Sequence, residues 1–287
     1  MAHTGNGWQR ENILAFVHIE KAAGTSLIHI LRRNFFLRYL DVRPLSTTEP
    51  ELFTARDMRR SLKVNPLLRC IAGHAVKPWG DLEREFPQVR YITLLRDPVA
   101  RYVSQYKYWT RVLRKDWSFG RFLDHEKSYN FQTRKLVGSD DADAAFEMLA
   151  TRFLAVGIVE RFDEFLMLLG AALAPRRFDP RYAVRNAEGD NRGGKSVDVD
   201  AFAAQIAANN ASDLRLYARV RDELLPAQHA ALCPDLEARL GAFRAAREPG
   251  ALGAVMGVVD GVCRKAYYEP VTGLVRRLND LPATGSY

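Results

Sequence analysis

Lys21, Gly24, Thr25 and Ser26 stand together in one short segment, FVHIEKAAGTSLIHIL, Phe16 to Leu31. An ammonium, two hydroxyls and a glycine through which the backbone can approach a ligand closely suit the gripping of phosphate oxygens. Arg96 and Ser104, in LLRDPVARYVSQY, offer a charged guanidinium fork and a neutral hydroxyl donor, a pair suited to a second phosphate. His74, in Ala72-Gly73-His74-Ala75, adds an imidazole.

Elements able to hold these groups are written into the flanking residues. Ile13 to Ile19 has the β-branched and aromatic character of a buried strand, and Leu27, Ile30 and Leu31 continue at helical spacing. The turn Glu20 to Gly24 therefore sits at a strand's carboxyl end and opens a helix whose free N–H groups and dipole favour an anion. Val89 to Leu95 (VRYITLL) reads as a second buried strand, with Arg96 at its carboxyl edge. Asp97 caps the following helix, VARYVSQYKYW, and Pro98 fits its first turn. On that helix Arg101, Ser104 and Tyr108 fall on one face. The apolar run Leu67 to Ile71 leads to His74 in the same way.

Strand and helix patterns alternate through the first 175 or so residues, which predicts an α/β fold with a central parallel sheet flanked by helices. Ligands of such sheets bind outside the strand carboxyl ends, where Lys21, His74 and Arg96 are all expected. A 287-residue chain with 47% apolar residues can bury one large core, so a single domain over 1–287 is expected. From Val199 onward the pattern is mostly helical, and residues 248–287, opened by Glu248-Pro249-Gly250, read as a helical extension free to pack on the core, mediate oligomers or shape a cleft.

The nucleotide-triphosphate loop GxxxxGK[ST] places its lysine after the second glycine and before a hydroxyl residue. Here the lysine precedes the glycine and no hydroxyl follows it directly, which argues against an ordinary magnesium-dependent ATPase or GTPase. The net charge of +8, from 42 Lys and Arg against 34 Asp and Glu, fits an anionic ligand. Nucleic acid is not expected, because the basic residues are spread through helices and no zinc, RNA-recognition or basic-zipper signature is present. None of the six histidines forms a metal pattern with a cysteine. Cys70, Cys233 and Cys263 form no disulfide framework, and neither a signal-type amino terminus nor a membrane-length apolar run occurs, so a soluble cytoplasmic protein is expected.

Taken alone, each phosphate-gripping segment could be a plain strand-turn-helix corner or a capped helix start. Together, HIEKAAGTSL resembles the 5′-phosphosulfate loop, and LLRDPVARYVSQY the 3′-phosphate motif, of the sulfotransferases that use 3′-phosphoadenosine 5′-phosphosulfate. Within that superfamily the chain is most similar to the carbohydrate 2-O-sulfotransferases that modify uronic acids of heparan sulfate, and reads as a soluble, bacterial-type member. Ala72-Gly73-His74-Ala75 resembles their His-Gly-His-Val stretch, and VGIVERFDEFLMLLGAAL their following strand and helix. NRGGKS and NNASDLRLY resemble, more loosely, the basic cofactor-covering loop and the helix after it. The likeness runs in order from about Ile13 to Tyr217.

This resemblance implies a P-loop-like sulfotransferase fold and metal-free, in-line transfer of a sulfuryl group to a carbohydrate hydroxyl. It implies that Lys21, Ala22, Ala23, Gly24, Thr25 and Ser26 hold the 5′-phosphosulfate, with Lys21 stabilising the leaving phosphate. Arg96 and Ser104 would hold the 3′-phosphate, Arg192, Lys195 and Ser196 would close over the nucleotide, and His74 would be the general base. His18 stands where the heparan enzymes carry a substrate-binding arginine, so it is expected to meet the acceptor or to pack. Glu20 replaces the usual proline, Ala22 a frequent hydroxyl residue, and Ala72 the first histidine. An ATP-dependent kinase or other transferase on the same scaffold, and a non-catalytic nucleotide-binding protein, remain as alternatives.

Overall fold

A computed structural model describes residues 8–43, 51–182, 198–246 and 261–278. Five strands, β1 Ile13–Val17, β2 Tyr39–Asp41, β3 Cys70–Gly73, β4 Val89–Leu95 and β5 Phe153–Ile158, form one sheet in the order β2-β3-β1-β4-β5. All four neighbouring pairs are parallel, with Phe16 of β1 opposite Ala72 of β3 on one side and Ile92 of β4 on the other. Helices α1 Gly24–Phe35, α2 Ala55–Val64, α3 Leu82–Glu85, α4 Pro98–Lys107, α5 Phe119–Leu123, α6 Phe131–Val137, α7 Ala142–Arg152 and α8 Phe162–Ala172 connect and follow the strands. They are succeeded by α9 Ala203–Asn209, α10 Ala211–Arg219, α11 Leu225–Leu232, α12 Leu236–Ala245 and α13 Glu269–Arg277. This is the expected α/β architecture with a helical carboxyl-terminal part.

The strands are largely apolar because both sheet faces are covered. Ile13, Ala15, Val17, Tyr91, Leu95 and Phe153 pack on one face with Met58 of α2, Leu136 of α6, Leu149 of α7 and Leu216 of α10. The alternate residues Leu14, Phe16, Ala72, Ile92 and Leu94 pack on the other with Leu27 and Leu31 of α1, Leu166 and Leu169 of α8, and Leu240 of α12. A smaller cluster joins Tyr102 and Tyr106 of α4 to Phe122 and Ile206.

The connection from β1 to β2 leaves toward one edge of the sheet, whereas β4 leads on to β5 at the other. The loops after β1 and β4 thus diverge from adjacent strands, the kind of switch point outside whose carboxyl ends such sheets bind ligands. The carboxyl-terminal extension, in its described residues 261–278, packs on the core. Tyr268 lies edge-on to Tyr39 at 5.3 Å and donates to the Arg32 carbonyl at 3.1 Å, while the Tyr267 hydroxyl donates to the Leu37 carbonyl at 2.8 Å. It thereby covers the β2 edge, which an open sheet would otherwise expose to pairing. Among the described residues no helix is long and apolar enough to cross a membrane.

Candidate functional site

The chain leaves the ladder after Val17 and turns sharply, with the Ala22 N–H donating to the Ile19 carbonyl at 3.3 Å. Lys21 (φ 68°) and Ala23 (φ 54°) both adopt the left-handed conformation on either side of Ala22. For non-glycine residues this costs about 1 kcal/mol each, strain that a surrounding structure must impose, and the concave backbone it creates is suited to an anion. Helix α1 then begins with no side-chain cap and no acidic residue in its first turn. Its first N–H groups and dipole are left for a ligand at the loop. Thr25 is exposed and Ser26 half-buried, while Ala22 is buried and offers backbone alone. Gly24 is required sterically, since a Cβ there would lie 1.7 Å from His18 Nε2.

The turn after β4 is held from two sides. Gln132 of α6 clasps the Arg96 backbone, its Oε1 accepting from Arg96 N–H and its Nε2 donating to the Arg96 carbonyl, both at 2.9 Å. Glu160, beyond β5, accepts from the Asp97 N–H at 3.1 Å and from the Tyr217 hydroxyl at 2.9 Å. Asp97 caps α4 through the Ala100 N–H at 2.8 Å, with Pro98 in the first turn, as the sequence predicts. So fixed, the Arg96 guanidinium donates through Nη1 to the Lys21 carbonyl at 3.1 Å, joining the turns after β4 and β1. The Lys21 ammonium lies over the Tyr108 ring, 4.7 Å from its centre, so α4 also reaches the first loop. Ser104 is buried at 4% exposure on α4. Arg101 is fully enclosed, its guanidinium over Phe131 at 4.7 Å, with Asp213 and Glu20 as its nearby counter-charges. It is enclosed rather than presented to solvent.

His74 follows β3 directly, its side chain 41% exposed. Gly73 before it must be glycine, because a Cβ would meet the Val42 carbonyl oxygen at 2.5 Å. The His74 ring stacks on that of His18, centroids 4.1 Å apart, and its Nδ1 lies 3.1 Å from the His18 carbonyl oxygen and 3.2 Å from Glu20 Oε1. Glu20 in turn accepts from Lys135 Nζ of α6 at 3.0 and 3.1 Å. Lys21, His74 and Arg96 therefore stand at the carboxyl ends of three adjacent strands, β1, β3 and β4.

His18 is the packed member of the set, wedged between the His74 ring, Phe16 at 5.3 Å and Gly24. Burial, reinforced by His74 and Lys135, holds its imidazole well below the ordinary histidine range. The folded chain keeps His18 neutral at pH values where the unfolded chain, with a pKa near 6.5, takes up a proton. Stability from this site is complete above about pH 6.5 and declines as the pH falls. His125 and His229 are depressed as well and act in the same direction. The test is accordingly comparative: between pH 7.5 and 5, urea unfolding of His18→Asn should lose less stability than wild type, by at most about 2 kcal/mol. Identical pH dependence of the two proteins would refute a neutral His18.

Glu20, Tyr108, Gln132, Lys135, Glu160 and Asp213 belong to the site's framework beyond the residues that sequence reasoning assigned to it. Only Tyr108 carried a sequence signal, through its helical register with Arg101 and Ser104. Arg192, Lys195 and Ser196 lie outside the described residues. No protein-family model matches the chain, and no curated protein matches it.

Proposed function

We propose that the chain is a sulfotransferase that moves the sulfuryl group of 3′-phosphoadenosine 5′-phosphosulfate to a carbohydrate hydroxyl. The observation that carries this reading is the hydrogen bond that links the turns after two adjacent parallel strands, Arg96 to the Lys21 carbonyl, with an accessible histidine after the next strand. A donor bearing phosphate at both 5′ and 3′ positions fits two such turns, whereas a nucleoside 5′-phosphate would use one. Lys21, the strained loop and the uncapped start of α1 would hold the 5′-phosphosulfate. The four remaining N–H donors of Arg96 would take the 3′-phosphate, with Ser104 beside it.

In the reaction, the acceptor oxygen forms a bond to sulfur as the bond from sulfur to the phosphate oxygen breaks. His74 accepts the hydroxyl proton, and Lys21 balances charge on the departing phosphate. The basic chain, the metal-independent donor and the reducing setting implied by three free cysteines suit a cytoplasmic enzyme of this kind.

Calorimetric titration with adenosine 3′,5′-bisphosphate, compared with ADP plus magnesium and with 5′-AMP, tests the pocket directly. Selective binding of the bisphosphate is expected, and Arg96→Ala should weaken it by about tenfold to 100-fold, the cost of a lost charge-assisted phosphate contact. Preference for ADP with magnesium would point to a kinase. Bisphosphate binding without sulfate transfer to any sugar would leave a non-catalytic nucleotide-binding protein.

A further inference from the structure

Two acceptor oxygens converge on one nitrogen of His74, the His18 carbonyl at 3.1 Å and Glu20 Oε1 at 3.2 Å from Nδ1. A lone pair facing both would be repelled by each, so Nδ1 carries the hydrogen and Nε2 is left with the lone pair. The carboxylate that selects this tautomer is itself fixed. Lys135 Nζ spans both Glu20 oxygens, and the Lys135 side chain is only 8% exposed. Burial lowers the pKa of Lys135 and Glu20 opposes that shift, as expected of a desolvated ion pair. The helix bearing Lys135 is anchored in turn by Asp213, which accepts from the Gln132 and Thr133 N–H groups at 3.0 and 2.7 Å and from the Thr133 hydroxyl at 2.8 Å.

We propose that Glu20, clamped by Lys135, is the positioning residue for His74: it fixes the ring with Nε2 free to accept the acceptor's proton and offsets the positive charge that the ring then gains. This rests on the reading of His74 as the general base. It gives the glutamate that stands in the usual proline position a role in the chemistry, and it assigns Lys135, 115 residues away in sequence, to the same unit. A buried lysine alone at that position would repel an imidazolium, and the shared carboxylate cancels that repulsion. The stacked His18, held neutral, adds no competing charge and keeps the ring plane. A glutamine at position 20 keeps the shape, but its single oxygen satisfies the Lys135 ammonium and turns the NH2 group toward His74.

The decisive measurement is the protonation pattern of the His74 ring in the full chain, read by nitrogen-15 NMR at about pH 8 with no ligand added and assigned by loss of the signal in His74→Gln. Wild type should show Nδ1–H, and Glu20→Gln, which leaves only the His18 carbonyl as an acceptor at Nδ1 and turns an NH2 group toward it, should raise the share of the Nε2–H form. In sulfate-transfer assays Glu20→Gln should lower kcat about tenfold to 100-fold with KM for the donor within about twofold, and Glu20→Asp should recover part of the loss. An Nε2–H tautomer in the wild type, or an unchanged share of the two tautomers in Glu20→Gln, would overturn the proposal. Because the NMR readout needs neither donor nor acceptor, it separates this inference from the sulfotransferase reading. The expected tautomers in a protein that ignores the bisphosphate would sink the reading and leave the positioning role standing.

Discussion

His74→Ala should reduce kcat for sulfate transfer by about 1,000-fold, within the range attributed to a positioned general base, while the affinity for adenosine 3′,5′-bisphosphate stays within about twofold. The separation of the two effects follows from how the site is built. The His74 side chain touches His18 and Glu20, and neither contact holds the Arg96 turn. That turn is clasped by Gln132 and Glu160, and its guanidinium reaches Lys21 through a backbone carbonyl that the substitution leaves in place. Because the His74 side chain is 41% exposed, its removal opens no sealed cavity and should cost the fold little. Single-turnover kinetics together with calorimetry would decide the matter. Parallel loss of turnover and of bisphosphate affinity would make His74 a structural residue of the loop after β3.

Much of the fold was legible because the signal that defines a buried parallel strand is local. Val89–Leu95 is a largely apolar run buried on both faces, and it forms a strand with the limits the sequence implies. The reading of Ile13 to Ile19 overshoots the ladder, which ends at Val17, since Ile19 is buried for packing rather than for strand pairing. Helix α4 stops at Lys107 and passes into a wider turn, Tyr108–Val112, a change of hydrogen-bond spacing that side-chain periodicity does not report. The strand that opens VGIVERFDEFLMLLGAAL starts three residues before Val156, at Phe153, where α7 passes directly into β5.

The positions of Lys21, His74 and Arg96 were legible for the same local reason, each being fixed by the end of its own strand. What surrounds them was not. Lys135 in FQTRKLV looks like one more solvated cation of a basic chain, and only the approach of α6 to the loop after β1 makes it the buried partner of Glu20. Gln132 and Asp213 are likewise ordinary polar residues until the sheet brings their helices together. Glu20 looked like a simple departure from a motif because its partners lie on β3 and α6. Ala72, another departure, is sealed in the core with Phe16 and Ile92, and the ring beside His74 comes instead from His18 on the neighbouring strand's end.

Lys21→Met should show the opposite pattern to His74→Ala, losing turnover and product affinity together. Methionine keeps an unbranched stem to lie against Tyr108 and tolerates the left-handed backbone no worse than lysine, so the loop should hold its shape while the charge alone is removed. On the proposed reading the ammonium would meet a phosphate whose negative charge is greatest once sulfate has left. Its loss is therefore felt in the transition state, lowering kcat by about 100- to 1,000-fold, comparable with removing a preorganised donor from a developing oxyanion. It is also felt in the bound product, weakening the 3′,5′-bisphosphate by about tenfold or more. Lys21→Arg should restore binding better than rate, since a planar fork neutralises the phosphate but does not reproduce a compact charge at one oxygen. The comparison also tests which turn holds which end of the nucleotide. Against 5′-AMP, Lys21→Met should lose affinity and Arg96→Ala should lose little, because only the bisphosphate engages the second turn. If Arg96→Ala instead weakened 5′-AMP as strongly as the bisphosphate, the assignment of the two phosphates to the two turns would have to be reversed.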